Sequence, residues 1–459
     1  MAKCLVINSP LFREKNPLYD EDSLPPIGLG YIATILKQNG VEVELVDAVA
    51  DNIPLKDLSR LIEASIPDYV CTNIFTTNYS LVKELFATCR YNGKIIIGGL
   101  STKTLYDEIF EWKITNDVDI VAGDGEYILF DLITGAVKQA PTATNGSKRY
   151  YLVDKCSPYF VHDISNVPLD RTFFRNEPVQ HLFGFREANI VTSRGCIYNC
   201  AFCAAATSFN KEFAIREKSE QSIRDEIAQL RALYPGLQSI RVLDDLFLKT
   251  KHSLQKATRV FKDSHIQWRS MAHVMTFKDV EQSMIDELKS AGCSEVFIGI
   301  ESGSPKVLRG IHKTGDLDVI RTSVTSLLIA GIKVKAYFIF GFPEETEADF
   351  KLTYELARFL KEESLRHKTA FRTSAFQFRP YHGTELYHQL RQKDGVNIDQ
   401  VHTDVQQDRR LSDLVGRLQF NFHSGNYSLE PVEKVHEYIY LTTNLNADVY
   451  DPYLPRKSA

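Results

Sequence analysis

Short apolar runs alternate with helix-length amphipathic stretches along most of this 459-residue chain, in two separate blocks. Strands joined through helices pair parallel and are buried on both faces, so they read as continuous apolar runs, and this alternation leaves few folds open. In the first block, runs at 3–8, 41–47, 69–72 and 94–99, and a fifth at 119–126 that ends in a turn, are expected as strands. Between them, 24–37 carries Leu29, Ile32, Ala33 and Leu36 at helical spacing and is closed by Gly40. Residues 57–64 and 81–89 are also expected as helices, and Glu126 opens the next. The product is a doubly wound parallel sheet, which takes ligands at the carboxyl ends of its strands. Gly98 and Gly99 end one of those strands and allow close backbone approach.

The second block begins at Asn189. Strands are expected at 189–192, 239–243, 266–271, 295–300, 334–340 and 374–378, with helices at 219–233 and at 281–291, the latter closed by Gly292. Six parallel strands suit a partial barrel, whose active site lies at the carboxyl ends. Between the blocks, Pro141, Thr142, Thr144, Asn145, Gly146 and Ser147 read as a surface turn or domain boundary, and Phe173, Phe174, Phe183 and Phe185 as packing residues. Beyond 385, helices are expected at 386–390, 411–418 and 431–441, an aromatic and hydrogen-bonding stretch at 420–428 and a loosely held tail at 448–459. The expected domains are 1–140, a linker at 141–186, a barrel at 187–385 and an extension at 386–459.

At the end of the first barrel strand stands Arg194-Gly195-Cys196-Ile197-Tyr198-Asn199-Cys200-Ala201-Phe202-Cys203. Three thiolates on one short loop can grip three irons of a four-iron cluster. No further cysteine follows until Cys293, so one iron is left open for a ligand that is not protein. Structural zinc is the alternative, but no second C-x2-C pair and no Cys/His pair at finger spacing accompanies the loop. The other five cysteines read as reduced core residues of a cytoplasmic protein. A formal net charge of -5 with scattered Lys and Arg gives no nucleic-acid footprint, and no apolar stretch is long enough for a membrane span. Nothing in these patterns specifies an oligomeric state.

The C-x3-C-x2-C loop, with the aromatic Phe202 before its last cysteine, resembles the radical S-adenosylmethionine (SAM) superfamily. That resemblance implies a 4Fe-4S cluster on Cys196, Cys200 and Cys203, with SAM on the open iron. Asp244 and Asp245 match the second-strand motif that approaches SAM's amino group or the substrate. Glu301-Ser302-Gly303-Ser304 match the fourth-strand motif near SAM's carboxylate or ribose. Gly341-Phe342-Pro343-Glu344-Glu345-Thr346 match the turn along the adenosine. Tyr337 and Arg269 point from strands and line either pocket or core. Pro168-Leu169-Asp170 resembles the family's interdomain junction, and Arg379 to Leu386 the turn that ends its barrel.

The N-terminal block is similar to the cobalamin-binding domain found in front of many radical SAM cores. Its landmarks here are 25–31, Gly98-Gly99 and Gly123-Asp124-Gly125-Glu126, which the resemblance places at a corrinoid. Two departures stand out. The Asp-x-His-x-x-Gly motif of the vitamin-dependent mutases is absent, and Leu100-Ser101 replaces the Pro-His that often follows the glycines. The implied activity is cleavage of SAM, hydrogen abstraction and cobalamin-dependent methyl transfer to a small molecule in biosynthesis. An external one-electron reductant of flavodoxin or ferredoxin type is implied with it. A cobalamin-free dehydratase or oxidoreductase that keeps the fold is the alternative, and a metal-binding regulatory protein without turnover is the alternative of another class.

Overall fold

The computed structural model describes residues 2–10, 24–180, 183–393, 425–446 and 449. The helix expected at 411–418, most of the stretch at 420–428 and nearly all of the tail at 448–459 lie outside them.

The N-terminal sheet has seven strands: β1 (Lys3–Asn8), β2 (Glu42–Asp47), β3 (Tyr69–Asn73), β4 (Lys94–Gly98), β5 (Val118–Gly123), β6 (Ala143–Asn145) and β7 (Lys148–Val153). Their spatial order is β2-β1-β3-β4-β5-β7-β6, parallel except for the β6–β7 hairpin at the edge. The order reverses between β1 and β3, the crevice where doubly wound sheets bind ligands. Helices α1 (Ile27–Gln38) and α5 (Ile128–Thr134) cover one face, through Leu29, Ala33, Leu36, Ile128 and Leu132. The other face packs on α2 (Leu55–Ser65), α3 (Tyr79–Thr88) and α4 (Thr102–Phe110), through Leu58, Ile62, Val82, Leu85, Leu105 and Ile109. The polar run expected as a surface turn is this hairpin. It turns at Gly146, with a φ of 59°, and β7 pairs with β5 along its whole length. Part of the expected linker therefore belongs to the sheet.

The chain then passes β8 (Val179–Gln180), which runs antiparallel to β9 (Arg186–Ile190). From β9 the second sheet continues in parallel register through β12 (Ser239–Val242), β13 (Gln267–Ala272), β14 (Cys293–Glu301), β15 (Lys333–Phe340) and β16 (Phe371–Gln377). Between β9 and β12, the short strands β10 (Ser193–Arg194) and β11 (Arg216–Glu217) pair antiparallel. The helices α6 (Glu220–Leu233), α7 (Lys251–Phe261), α8 (Gln282–Ser290), α9 (Pro305–Gly310), α10 (Leu317–Ile329) and α11 (Glu347–Arg366) complete this half-barrel. Then α12 (Glu385–Arg391) and α13 (Val432–Asn444) follow β16. The apolar side chains that face these helices form the largest core, with Trp268, Phe338, Phe340 and Phe350 fully buried. On the opposite face, near the amino ends of the strands, lie charged side chains. Arg269 bonds Glu187 at 2.5 Å, and Arg372 bonds Glu295 at 2.7 Å. Arg269 is thus part of a buried ion network below the barrel mouth, which settles its place as structural.

The two sheets meet along α1. Ile27, Tyr31 and Ile35 pack on Val161, Ile164, Val167 and Phe174 of the connecting segment. A Cβ at Gly30 would lie 2.3 Å from the Phe174 ring, so this glycine serves close packing. Asp170 pairs with Lys37 at 2.8 Å and fastens the expected junction to the same helix.

Candidate active site

A cavity of about 720 Å³ opens between the carboxyl ends of β1, β3, β4 and β5 and the cysteine loop. That is within the roughly 300–1,000 Å³ of small-molecule and cofactor sites. Gly98, Gly99, Gly123 and Glu126 line it from the sheet, and Arg194, Gly195, Cys196 and Asp245 from the barrel. Gly99 (φ 104°) and Gly123 (φ 102°) both adopt left-handed backbone. Their Cβ atoms would fall 2.7 Å from the Ile74 carbonyl and 2.3 Å from that of Val153. The glycines therefore let the strand-end turns fold back flat and leave the space above them open. Among the described residues no histidine lines the cavity. The glycine-cleared floor would accommodate a flat macrocycle such as a corrinoid.

The cysteine loop is the excursion between β10 and β11. Its base is gripped from the barrel side. Asp244, fully buried, accepts bonds from the Thr192 amide (2.6 Å), the Thr192 hydroxyl (2.6 Å) and the Ser193 hydroxyl (2.7 Å). Asp245 faces the cavity and accepts from the Gly195 amide at 3.0 Å. The two neighbours thus part company: Asp244 is spent on the loop's foundation, and Asp245 presents a carboxylate to open space. Farther along, Ala201 donates to the Ile311 carbonyl (3.2 Å) and accepts from Leu386 (3.0 Å), tying the loop to α9 and α12.

The thiols suit an iron–sulfur cube. The Tyr198 amide points at Cys196 Sγ (3.5 Å) and the Ala205 amide at Cys203 Sγ (3.4 Å), the kind of donor that stabilises thiolate and tunes a cluster. Among the described residues no three His, Cys, Asp or Glu side chains converge on a single metal position. Burial raises the thiol pKa of Cys196 and Cys200 and pushes that of Cys203 up to about 12.

The other strand ends are fixed turns. Glu301 closes β14 with a φ of 69°, where the pairing with β15 shifts register. Its carboxylate accepts from Lys313 at 2.8 Å, and Lys313 also bonds the Gly299 carbonyl at 2.6 Å. Burial opposes the Lys313 charge, but Glu301 and the thiols of Cys200 and Cys203 hold its pKa above the ordinary value. Ser302 shares a hydrogen bond with Thr353 at 3.0 Å. A Cβ at Gly303 would lie 2.3 Å from the Leu352 carbonyl, which locks this turn onto α11. After β15, the Gly341 and Phe342 amides donate to Glu345 at 2.8 and 2.9 Å. Phe342 meets Phe202 edge-on, 5.6 Å between centroids, which brings the aromatic beside the last cysteine together with the fifth-strand turn. Tyr337 rests on Phe376 inside the barrel.

Motif reading did not single out four of the residues found here. Arg194 and Arg216 bind the acidic residues of Gly123-Asp124-Gly125-Glu126 across the seam. Lys313 lies beside the cysteines. His273 stacks on Tyr198 at 3.7 Å, and burial and then Lys313 lower its pKa to about 3, so its ring is neutral. Only Arg194, adjacent to Gly195-Cys196, stood inside a stretch that the motif had marked.

Residues 190–357 match the model of the radical SAM superfamily, and residues 21–133 that of the B12 binding domain. The chain is a radical SAM enzyme. Within that superfamily it belongs to the branch with an N-terminal cobalamin-binding-type domain, whose cofactors are a 4Fe-4S cluster, SAM and cobalamin. An uncharacterized methyltransferase of Pyrococcus horikoshii is 26% identical over 385 residues, covering 79% of this chain and 78% of that one. The cytidylyl-2-hydroxyethylphosphonate methyltransferase of Streptomyces wedmorensis is 23% identical over 376 residues, 69% of each chain. Among solved structures, the radical SAM methyltransferase TsrM of Kitasatospora setae, with cobalamin and cluster bound, superposes with a TM-score of 0.65 at 16% identity. It covers 97% of this chain and 91% of TsrM. The cobalamin-dependent SAM radical enzyme OxsB, with aqua-cobalamin and SAM bound, gives 0.63 at 16% identity, over 95% and 65%. Among the described residues no helix is long and apolar enough to cross a membrane.

Proposed function

We propose that this enzyme transfers a methyl group from cobalamin to a small-molecule substrate, using SAM cleaved at its cluster. The observation that carries the reading is the shared cavity: one wall is the cysteine loop with Cys196, and the opposite wall is the glycine-turned edge of a B12-type sheet. When bound, the cluster supplies the electron that cleaves SAM, and the corrinoid supplies the methyl group. The protein positions these groups and excludes water. Cys196, Cys200 and Cys203 hold the cluster. Asp245 faces the ammonium of SAM, as a charge-assisted acceptor on open space would. Asp244 holds Thr192 and Ser193, and through them the loop. Glu301, Ser302 and Gly303 present a stiff edge to the polar end of SAM, with Lys313 as the adjacent cation. Gly341, Phe342 and Phe202 form the apolar side of the adenine site. Gly98, Gly99, Gly123 and Glu126 form the corrinoid side. The electron comes from an external flavodoxin- or ferredoxin-type reductant.

Anaerobic reconstitution with iron, sulfide and hydroxocobalamin tests the reading. Iron and cobalt are expected to stay with the chain through gel filtration. Incubation with SAM and a low-potential reductant is expected to yield S-adenosylhomocysteine only when cobalt is present. Cleavage of SAM to 5′-deoxyadenosine by a chain that retains no cobalt would instead mark a cobalamin-free radical enzyme.

A further inference from the structure

A group of charged contacts crosses the domain seam at the base of the cysteine loop. Arg194 donates to Asp124 at 2.8 Å and to Glu126 at 2.5 Å, and its guanidinium lies 5.7 Å from the centroid of the Tyr31 ring. Arg216 binds the same Asp124 and donates to the Val161 carbonyl at 2.7 Å. The carboxylates are only 5% exposed, and all four charges cancel within the group. Arg194 is two residues from Cys196. Arg194, Asp124 and Glu126 all line the cavity. Residues 192–195 are therefore held from both sides: Asp244 and Asp245 pull from the barrel, Asp124 and Glu126 from the sheet.

A buried ion group is poor glue, because desolvation cancels much of the attraction. Its value is direction. A guanidinium presents a rigid fork, and two carboxylates on one strand-end turn fix both its prongs. Apolar packing along α1 already joins the domains, so the ion group is not needed for that. Its geometry constrains where the cluster loop sits relative to the floor of the cavity.

We propose that Arg194 is a positioning residue that couples the cofactor cavity to the cluster: filling the cavity loads the Asp124–Gly125–Glu126 turn, and the guanidinium passes that load to the loop carrying Cys196. Coupling of this kind is reciprocal, so the cluster also alters cobalamin affinity. The inference rests on the cobalamin-dependent reading above.

The test uses the full-length chain with its cluster reconstituted. The midpoint potential and electron paramagnetic resonance spectrum of the cluster are measured with and without hydroxocobalamin, in wild type, Arg194→Lys and Glu126→Gln. Lysine keeps the charge but cannot span both carboxylates. Glu126→Gln leaves every residue of the loop in place, so it gives the same test if Arg194→Lys does not hold its cluster. In wild type, cobalamin is expected to shift both signals. In the variants the cluster is expected to form, cobalamin to bind more weakly, by roughly five- to tenfold, and the shift to vanish. Variants that respond as wild type does, or a wild type that binds cobalamin without any response, would overturn the positioning role alone. A wild type that retains no cobalamin would overturn the functional reading and the coupling with it.

Discussion

Glu345 offers the sharpest quantitative test. It lies one residue before the cap of α11, fully buried, and its Oε2 takes the Gly341 and Phe342 amides while Oε1 has no hydrogen-bond partner. Burial pushes its carboxyl from an ordinary 4.5 up to about 8, although the two amides pull the other way. The folded chain therefore keeps a proton at pH 7 that the unfolded chain has released. The stability tied to that proton is whole below pH 4.5 and drains away as pH rises toward 8. At about 1.4 kcal/mol per pH unit, the loss by pH 7 amounts to about 3 kcal/mol. Glu345→Gln has the same shape, keeps an oxygen for the two amides and does not titrate. Each side chain leaves buried N–H or O–H unpaired, so that term cancels to first order. The variant is expected to match wild type near pH 4.5 and to be more stable by about 3 kcal/mol at pH 7. Urea unfolding in a Trp112→Phe background measures this, because Trp268, stacked on Phe261 in the barrel core, is then the only tryptophan. If the carboxyl is ionised and held by the amides, the sign reverses. A variant less stable than wild type at pH 8, or an advantage that does not grow with pH, would refute the argument.

Other outcomes follow from the same geometry. Replacing Cys196, Cys200 and Cys203 by Ala is expected to abolish the thiolate-to-iron absorbance band and the bound iron while leaving the circular dichroism of the fold intact. Gly123→Ala forces a Cβ to within 2.3 Å of the Val153 carbonyl at a φ of 102°; it is expected to lower thermal stability by at least roughly 1–3 kcal/mol and to weaken cobalamin retention on gel filtration. In the metal-free chain, iodoacetamide is expected to label exposed Cys156 first and Cys203 far more slowly, read by peptide mass spectrometry, because burial holds the Cys203 thiol near 12. For the same reason the rate of cluster reconstitution, followed by absorbance, is expected to climb with pH, since iron must displace that proton.

What was legible in the chain was what periodicity writes. All five strands of the first block and all six of the barrel fell within a few residues of their expected places: β1 and β4 leave apolar runs because both faces are buried, whereas β13 and β16 keep buried arginines on their inner face. The hairpin at β6 and β7 was not read, since the edge strand β6 is only three residues long and shows Thr144 and Asn145 to water. Helix α4 was missed for a similar reason: only Thr102, Leu105 and Ile109 are buried, too sparse a stripe to stand out. The cysteine loop was legible because three ligands on one loop are a local pattern. The contacts that place it were not. Arg194 meets Asp124 across 70 residues of sequence, and Asp244 reaches Thr192 across 52. Nor could the sequence separate Asp244 from Asp245, identical neighbours that bond different residues of the loop. One is buried under the loop and the other faces the cavity. The same geometry explains why the glycine landmarks carry different duties. Gly30 admits the Phe174 ring at the seam, whereas Gly99 and Gly123 flatten the turns beneath the cavity. Both duties arise from one demand: two parallel sheets must present their carboxyl edges to each other. That arrangement leaves a cavity between the edges, requires a tightly packed hinge behind it along α1, and brings the acidic turn after β5 against the basic residues at the base of the cysteine loop.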